Sequence, residues 1–210
     1  MKSSTYATIC ALASGFGNLF LWTGYDSQVF IVESVLHSIN NREPDRIGAH
    51  DGYYGLAVMN IFYMFANLGV PTLGKYFRCK WILALGAAFF TFYFLTFQIL
   101  NQYLYFVGCA VLGFGFATFN VGYSGYLTEF STRRTLERNQ ALSWAISCMS
   151  VFGAGCLYMF VTSMNQVDGA VATSKYREYA DSEIRYFFGA FVLLGLISTI
   201  IYCFLPDKHV

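Results

Sequence analysis

Residues 81–100 read Trp-Ile-Leu-Ala-Leu-Gly-Ala-Ala-Phe-Phe-Thr-Phe-Tyr-Phe-Leu-Thr-Phe-Gln-Ile-Leu, a run without a single charge. Crossing about 30 Å of hydrocarbon takes about 20 mostly apolar residues, and this run supplies them between Lys80 and Asn101-Gln102. Outward from it the chain offers five more such segments, at about residues 6–32, 53–73, 103–127, 142–161 and 184–205. The predicted fold is all-α and membrane-embedded, one domain of six transmembrane helices over residues 1–210.

Composition points the same way. The chain is 56% hydrophobic and 20% aromatic, with only 12% charged residues, against about 25% charged in soluble domains. A soluble fold of this length could not hide 22 Phe and 16 Tyr, because surface-to-volume scaling leaves much of a short chain exposed. Membrane lipid is the expected surroundings. A net charge of +1 gives no clustered basic face, so nucleic acid is not an expected partner. The first apolar run passes Gly24 without a small-x-small cleavage site, too long for a cleavable signal, and is read as a retained helix.

The cysteines (Cys10, Cys79, Cys109, Cys148, Cys156 and Cys203) form no C-x-x-C pair, and most lie in apolar runs. There a thiol behaves as a small hydrophobe, so neither a disulfide framework nor a zinc site is expected. Cys79, beside Lys80, reads as a free thiol or as a palmitoylation site. His37, His50 and His209 lie in or near loops without ligand spacing. No nucleophile elbow, zinc-protease helix or phosphate loop occurs, so no enzyme, cofactor or metal is expected.

Charge is sorted by side. One set of loops and ends holds Lys2, Lys75, Arg78, Lys80, Arg133, Arg134, Arg138 and Lys208. The other holds the remaining basic residues, Arg42, Arg46, Lys175, Arg177 and Arg185, among more acidic ones. The positive-inside rule places the first set, with both termini, in the cytoplasm. Lys75, Arg78, Lys80, Arg133, Arg134 and Arg138 are thereby predicted cytoplasmic anchors, with contact to acidic lipid heads as a further role.

An internal repeat refines the architecture. Gly15-Phe-Gly17 precedes Gly24-Tyr25, and Gly113-Phe-Gly115 precedes Gly122-Tyr123 at the same spacing. The fourth helix restates the first, and Gly86-Ala87 and Gly189-Ala190 link the third and sixth more weakly. Duplicating three helices inverts the second triplet, the arrangement found within each half of major facilitator transporters. The expectation is half of a major facilitator fold, built as two inverted three-helix repeats.

Polar residues inside the spans are the candidate site. Asp26 follows Gly24-Tyr25, and a carboxylate at membrane depth costs about 2.5–3.5 kcal/mol on insertion scales. It either faces a cavity with Gln28 and, two turns earlier, Asn18, or reaches the hydrated external interface. The matching place in the fourth helix holds Asn120, Tyr123 and Ser124. Asn60 and Asn67 are better read as hydrogen-bonding glue between helices.

The stretches Gly24-Tyr-Asp-Ser-Gln28 through Ser38, Gly52-Tyr-Tyr-Gly55, Lys80-Trp81, Leu112-Gly-Phe-Gly-Phe-Ala117 and Gly122-Tyr-Ser-Gly-Tyr-Leu-Thr128 together resemble the Unc-ninety-three-like branch of the major facilitator superfamily, nematode members most of all. The resemblance implies a multi-pass membrane protein acting through protein partners, since the founding member is regarded as a regulatory subunit of a two-pore-domain potassium channel. It also implies twelve helices in a full member, of which this chain corresponds to the N-terminal half. The loop Gly74-Lys-Tyr-Phe-Arg-Cys-Lys80 lacks the acidic residue of the superfamily's gating motif, which argues against driven transport. The favoured expectation is a channel-regulatory subunit that docks through the external loops 38–51 and 163–183 and the uncovered helix faces. The alternatives are a half-size transporter that homodimerises around Asp26, Gln28, Asn120, Tyr123 and Ser124, or a truncated copy of a twelve-helix protein.

Overall fold

The computed structural model describes residues 3–99, 101–164 and 178–207, and among these every regular element is helical. The order is α1 (Ser3–Arg42), α2 (Asp51–Gly69), a 3-10 turn (Val70–Lys75), α3 (Cys79–Thr96), a second 3-10 turn (Phe97–Ile99), α4 (Gln102–Phe130), α5 (Leu136–Cys148), α6 (Ser150–Met164) and α7 (Asp181–Phe204). With α5 and α6 counted as one span, six helices are long and apolar enough to cross a membrane.

Several bounds differ from the sequence reading for local reasons. α1 runs ten residues past 32, because Ile31, Val35 and Ile39 keep a buried stripe until Glu43-Pro44, where proline cannot continue the helix. α2 ends at Gly69, where Pro71 enters the 3-10 turn. The fifth span begins earlier than 142, at Leu136, and is interrupted at Met149, whose amide bonds three residues back to Ile146 (3.1 Å). Glu183 accepts from the Ala180 amide (3.3 Å) at the start of α7.

α3 packs on α4 and α7, while α1 packs on α5, α6 and α7, and α2 packs mainly on α4. Exchanging α1 with α4, α2 with the α5–α6 span, and α3 with α7 maps these pairings onto themselves. The glycines of the sequence repeat follow that exchange. A methyl group at Gly15 would press on Ser143 of α5, and one at Gly113 on Met59 and Tyr63 of α2; at Gly17 it would overlap Tyr202 of α7, and at Gly115 it would crowd Phe89 and Phe90 of α3. These four glycines thus mark close helix approaches, at paired crossings.

Aromatic rings fill the centre. Phe90, Phe94, Phe97, Phe119, Phe188 and Phe191 are buried, with Phe97 stacked on Phe188 at 3.8 Å. The same aromatic runs of α3 and α4 also reach the outer surface, where Phe92 and Phe114 are exposed.

Polar clamps close the two ends. On the terminal face, where α1 begins and α7 ends, Lys80 meets Asp207 at 2.6 Å and Arg78 meets it at 3.2 Å. On the opposite, distal face, Arg42 pairs with Asp181 and donates to the Tyr179 carbonyl. There Arg46 also approaches Asp181 (3.5 Å), and its own carbonyl accepts from the Gln102 amide (3.1 Å).

Candidate functional site

The buried face of α5 is its polar one. Asn139, Ser143 and Ser147, spaced by four, are all buried, and they meet small and polar residues of α1, with Ser14 and Ser143 hydroxyls 3.2 Å apart. In lipid no hydrophobic force drives helices together, so small and hydroxyl-bearing residues take the interface. Polar contacts continue along the seam. The Tyr202 hydroxyl donates to Asn18 (2.6 Å) and that of Ser198 to the Gly17 carbonyl (2.8 Å), tying α7 to α1. The Ser150 hydroxyl, first in α6, donates to the Asp26 carboxylate at 2.5 Å.

The residues singled out from the sequence fall in separate places. Asp26 is half-buried between α1 and α6. Gln28 is buried and donates to the Tyr93 hydroxyl of α3 (3.0 Å). Asn120, on the exposed side of α4, donates to the Tyr63 hydroxyl of α2 (3.0 Å). Asn60 and Asn67 are exposed and bond their own helix, at the carbonyls of Leu56 and Tyr63.

Only Asn120, Tyr123 and Ser124 come together. With Glu137, Gln140 and Trp144 of α5 they line an open cavity of about 520 Å³ between α4 and α5. Tyr123 is buried, and its hydroxyl faces Ser143 and Asn18 without a hydrogen bond of ordinary geometry; the Asn18 amide nitrogen behind it is likewise buried and unbonded. The four-residue spacing Asn139-Ser143-Ser147 was the available signal for the α5 contribution, but Asn139 precedes the apolar run that begins at about 142.

The basic anchors are distributed unevenly. Lys80 is buried and bonded to Asp207, Arg78 shares that carboxylate, and Arg138 donates to the Thr8 hydroxyl (3.0 Å). Lys75, Arg133 and Arg134 are exposed. The Lys80 hydrogen bond, helped by the charges of Lys80 and Arg78, holds the Asp207 carboxyl below its ordinary range despite some desolvation. Of the two loops expected to dock partners, the first lies in the distal clamp; most of the second, residues 165–177, lies outside the described residues. Among the described residues no group of His, Cys, Asp and Glu could hold a metal ion.

A six-span helical bundle held by small-residue crossings and intramembrane hydrogen bonds defines a multi-pass membrane protein. The family model of the ion channel regulatory protein UNC-93 matches residues 43–210, and the chain belongs to that family. The matched part includes the α4–α5 cavity; Asp26 and Gln28 precede it. No curated protein matches the chain.

Proposed function

We propose that the chain is an accessory subunit that regulates a potassium channel from within the membrane, with both termini in the cytoplasm, built on one half of a major facilitator fold. Membership of the channel-regulatory family carries this reading. It is supported by the polar residues within the spans, since Asp26 and Gln28 bond other helices of the same bundle. Groups so engaged stabilise the scaffold and are not free to carry a solute. The exposed side of α2, which buries only Asp51, Gly55 and Ala66, offers an uncovered helix for a channel helix to pack on.

The test is co-expression with a two-pore-domain potassium channel, measuring current and recovery of the channel on the tagged chain. Altered current with stable co-purification is expected. Unchanged current with no co-purification across such channels overturns the potassium-channel reading.

A second reading, a half-size transporter that pairs with another copy, draws on the exposed Asn120, Ser124 and Gln140 at α4–α5. Asp26→Asn separates the two. Loss of solute uptake or of its pH dependence favours transport, whereas unchanged uptake with altered channel current favours regulation.

A further inference from the structure

From the α4–α5 cavity we infer that the protein binds a methylated ammonium compound of the choline type. Three aromatic residues line the walls, Phe119, Tyr123 and Trp144; Trp144 is half exposed, and its ring centroid lies 6.4 Å from that of Tyr123 with planes tilted by 37°. Ring faces attract cations within about 6 Å, tryptophan most strongly. One carboxylate, Glu137, belongs to the lining, and no Lys or Arg does. The site therefore favours a single positive charge.

The remaining chemistry selects the kind of cation. Phe119 and Ala141 add apolar surface, which suits methyl groups better than the tightly hydrated protons of a primary ammonium. Asn120, Ser124 and Gln140 supply hydrogen bonds at the open side. A ligand with a quaternary nitrogen and a nearby hydroxyl or ester oxygen uses both sets. A volume of about 520 Å³ lies within the usual range for small-molecule sites. The cavity reaches from Glu137, in the first turn of α5, to Asn120, ten residues or about 15 Å from the end of α4. A free ammonium compound and the choline head of a phospholipid share this chemistry and both reach such a site.

The experiment is binding of radiolabelled choline to the purified full chain in a maltoside detergent, with 3,3-dimethylbutan-1-ol, the uncharged isostere, as competitor. Saturable binding that the isostere does not displace is expected. Trp144→Ala should weaken it roughly tenfold while Trp144→Phe retains most of it. Glu137→Gln should weaken it roughly fivefold and flatten its salt dependence. Equal displacement by the isostere, or wild-type binding in Trp144→Ala, overturns the proposal, as does the absence of saturable binding. Repeating the measurement in phosphatidylglycerol and phosphatidylcholine nanodiscs separates the sources: binding in both assigns the soluble compound, and binding only in phosphatidylglycerol assigns the lipid head as the occupant. None of these readouts involves a channel, so they stand or fall apart from the regulatory reading.

Discussion

The Lys80 ammonium, buried at the first turn of α3, lies 2.6 Å from a carboxylate oxygen of Asp207, just beyond the end of α7. The contact joins the third and sixth spans on the terminal face, and Lys80 also donates to the Leu205 carbonyl (3.4 Å). Removing one partner of a buried pair leaves the other uncompensated. Asp207→Asn should therefore lower the thermal midpoint in detergent by a few degrees. Lys80→Met should lower it less, because Asp207 keeps Arg78 at 3.2 Å. Unchanged midpoints in both variants would show that the pair contributes nothing.

That carboxylate also gives a pH dependence. Its pKa is depressed in the folded protein from an ordinary value of 3.8, so its contribution is present above that value and is lost as pH falls through the lower, folded one. Wild-type stability should decline below about pH 4, and Asp207→Asn should remove part of that decline. Thermal midpoints between pH 3 and 7 check it.

The α3–α4 crossing brings two backbones close together. A methyl group at Gly122 would overlap the backbone of Leu83, whereas one at Gly155 meets nothing within 4 Å. Gly122→Ala should destabilise by about 1–3 kcal/mol, as overpacking does, and reduce the monodisperse fraction on size exclusion. Gly155→Ala should behave as wild type.

Gln28 and Tyr93 form a buried cross-helix hydrogen bond. A double-mutant cycle with Gln28→Leu and Tyr93→Phe should return a coupling of about 0.6 kcal/mol, the usual size within membranes. Zero coupling in reversible unfolding would mean that the two side chains act separately.

On the distal face the Tyr179 amide donates to the Ser38 hydroxyl (3.0 Å), and Arg42 donates to the Tyr179 carbonyl. Arg42→Ala should cost less than about 1 kcal/mol through its half-exposed ion pair. It should nevertheless speed hydrogen exchange at Tyr179 at least tenfold, because the segment loses its tether. Unchanged exchange would assign the tethering to Ser38 alone.

The six spans were legible because lipid demands long uncharged runs, and the repeat glycines of α1 and α4 stood out as small residues that allow close helix approach. Side-chain destinations were not. Asp26 and Gln28 are two residues apart on α1, yet one bonds α6 and the other α3, since 200° of helix rotation separates them. The Lys/Arg tally was also mixed in meaning. Arg42, Arg46, Arg78 and Lys80 are held by ion pairs within the fold, and a count of charges cannot tell a structural cation from a topological one. The polar stripe of α5 escaped notice because the interior of a membrane bundle is selected for close approach, which hydropathy does not measure.

The helix pairings carry a consequence for biogenesis. α3 and α4 are neighbours in both sequence and space, whereas α1 finds its principal partners in α5, α6 and α7, and α2 waits for α4. During synthesis the α3–α4 hairpin is thus the first unit able to lock. The first helix must idle in lipid, or be held by an insertion chaperone, until the α5–α6 span leaves the translocon. A ribosome stalled after the fourth span would expose Asn18 and the small-residue flank of α1 to quality control.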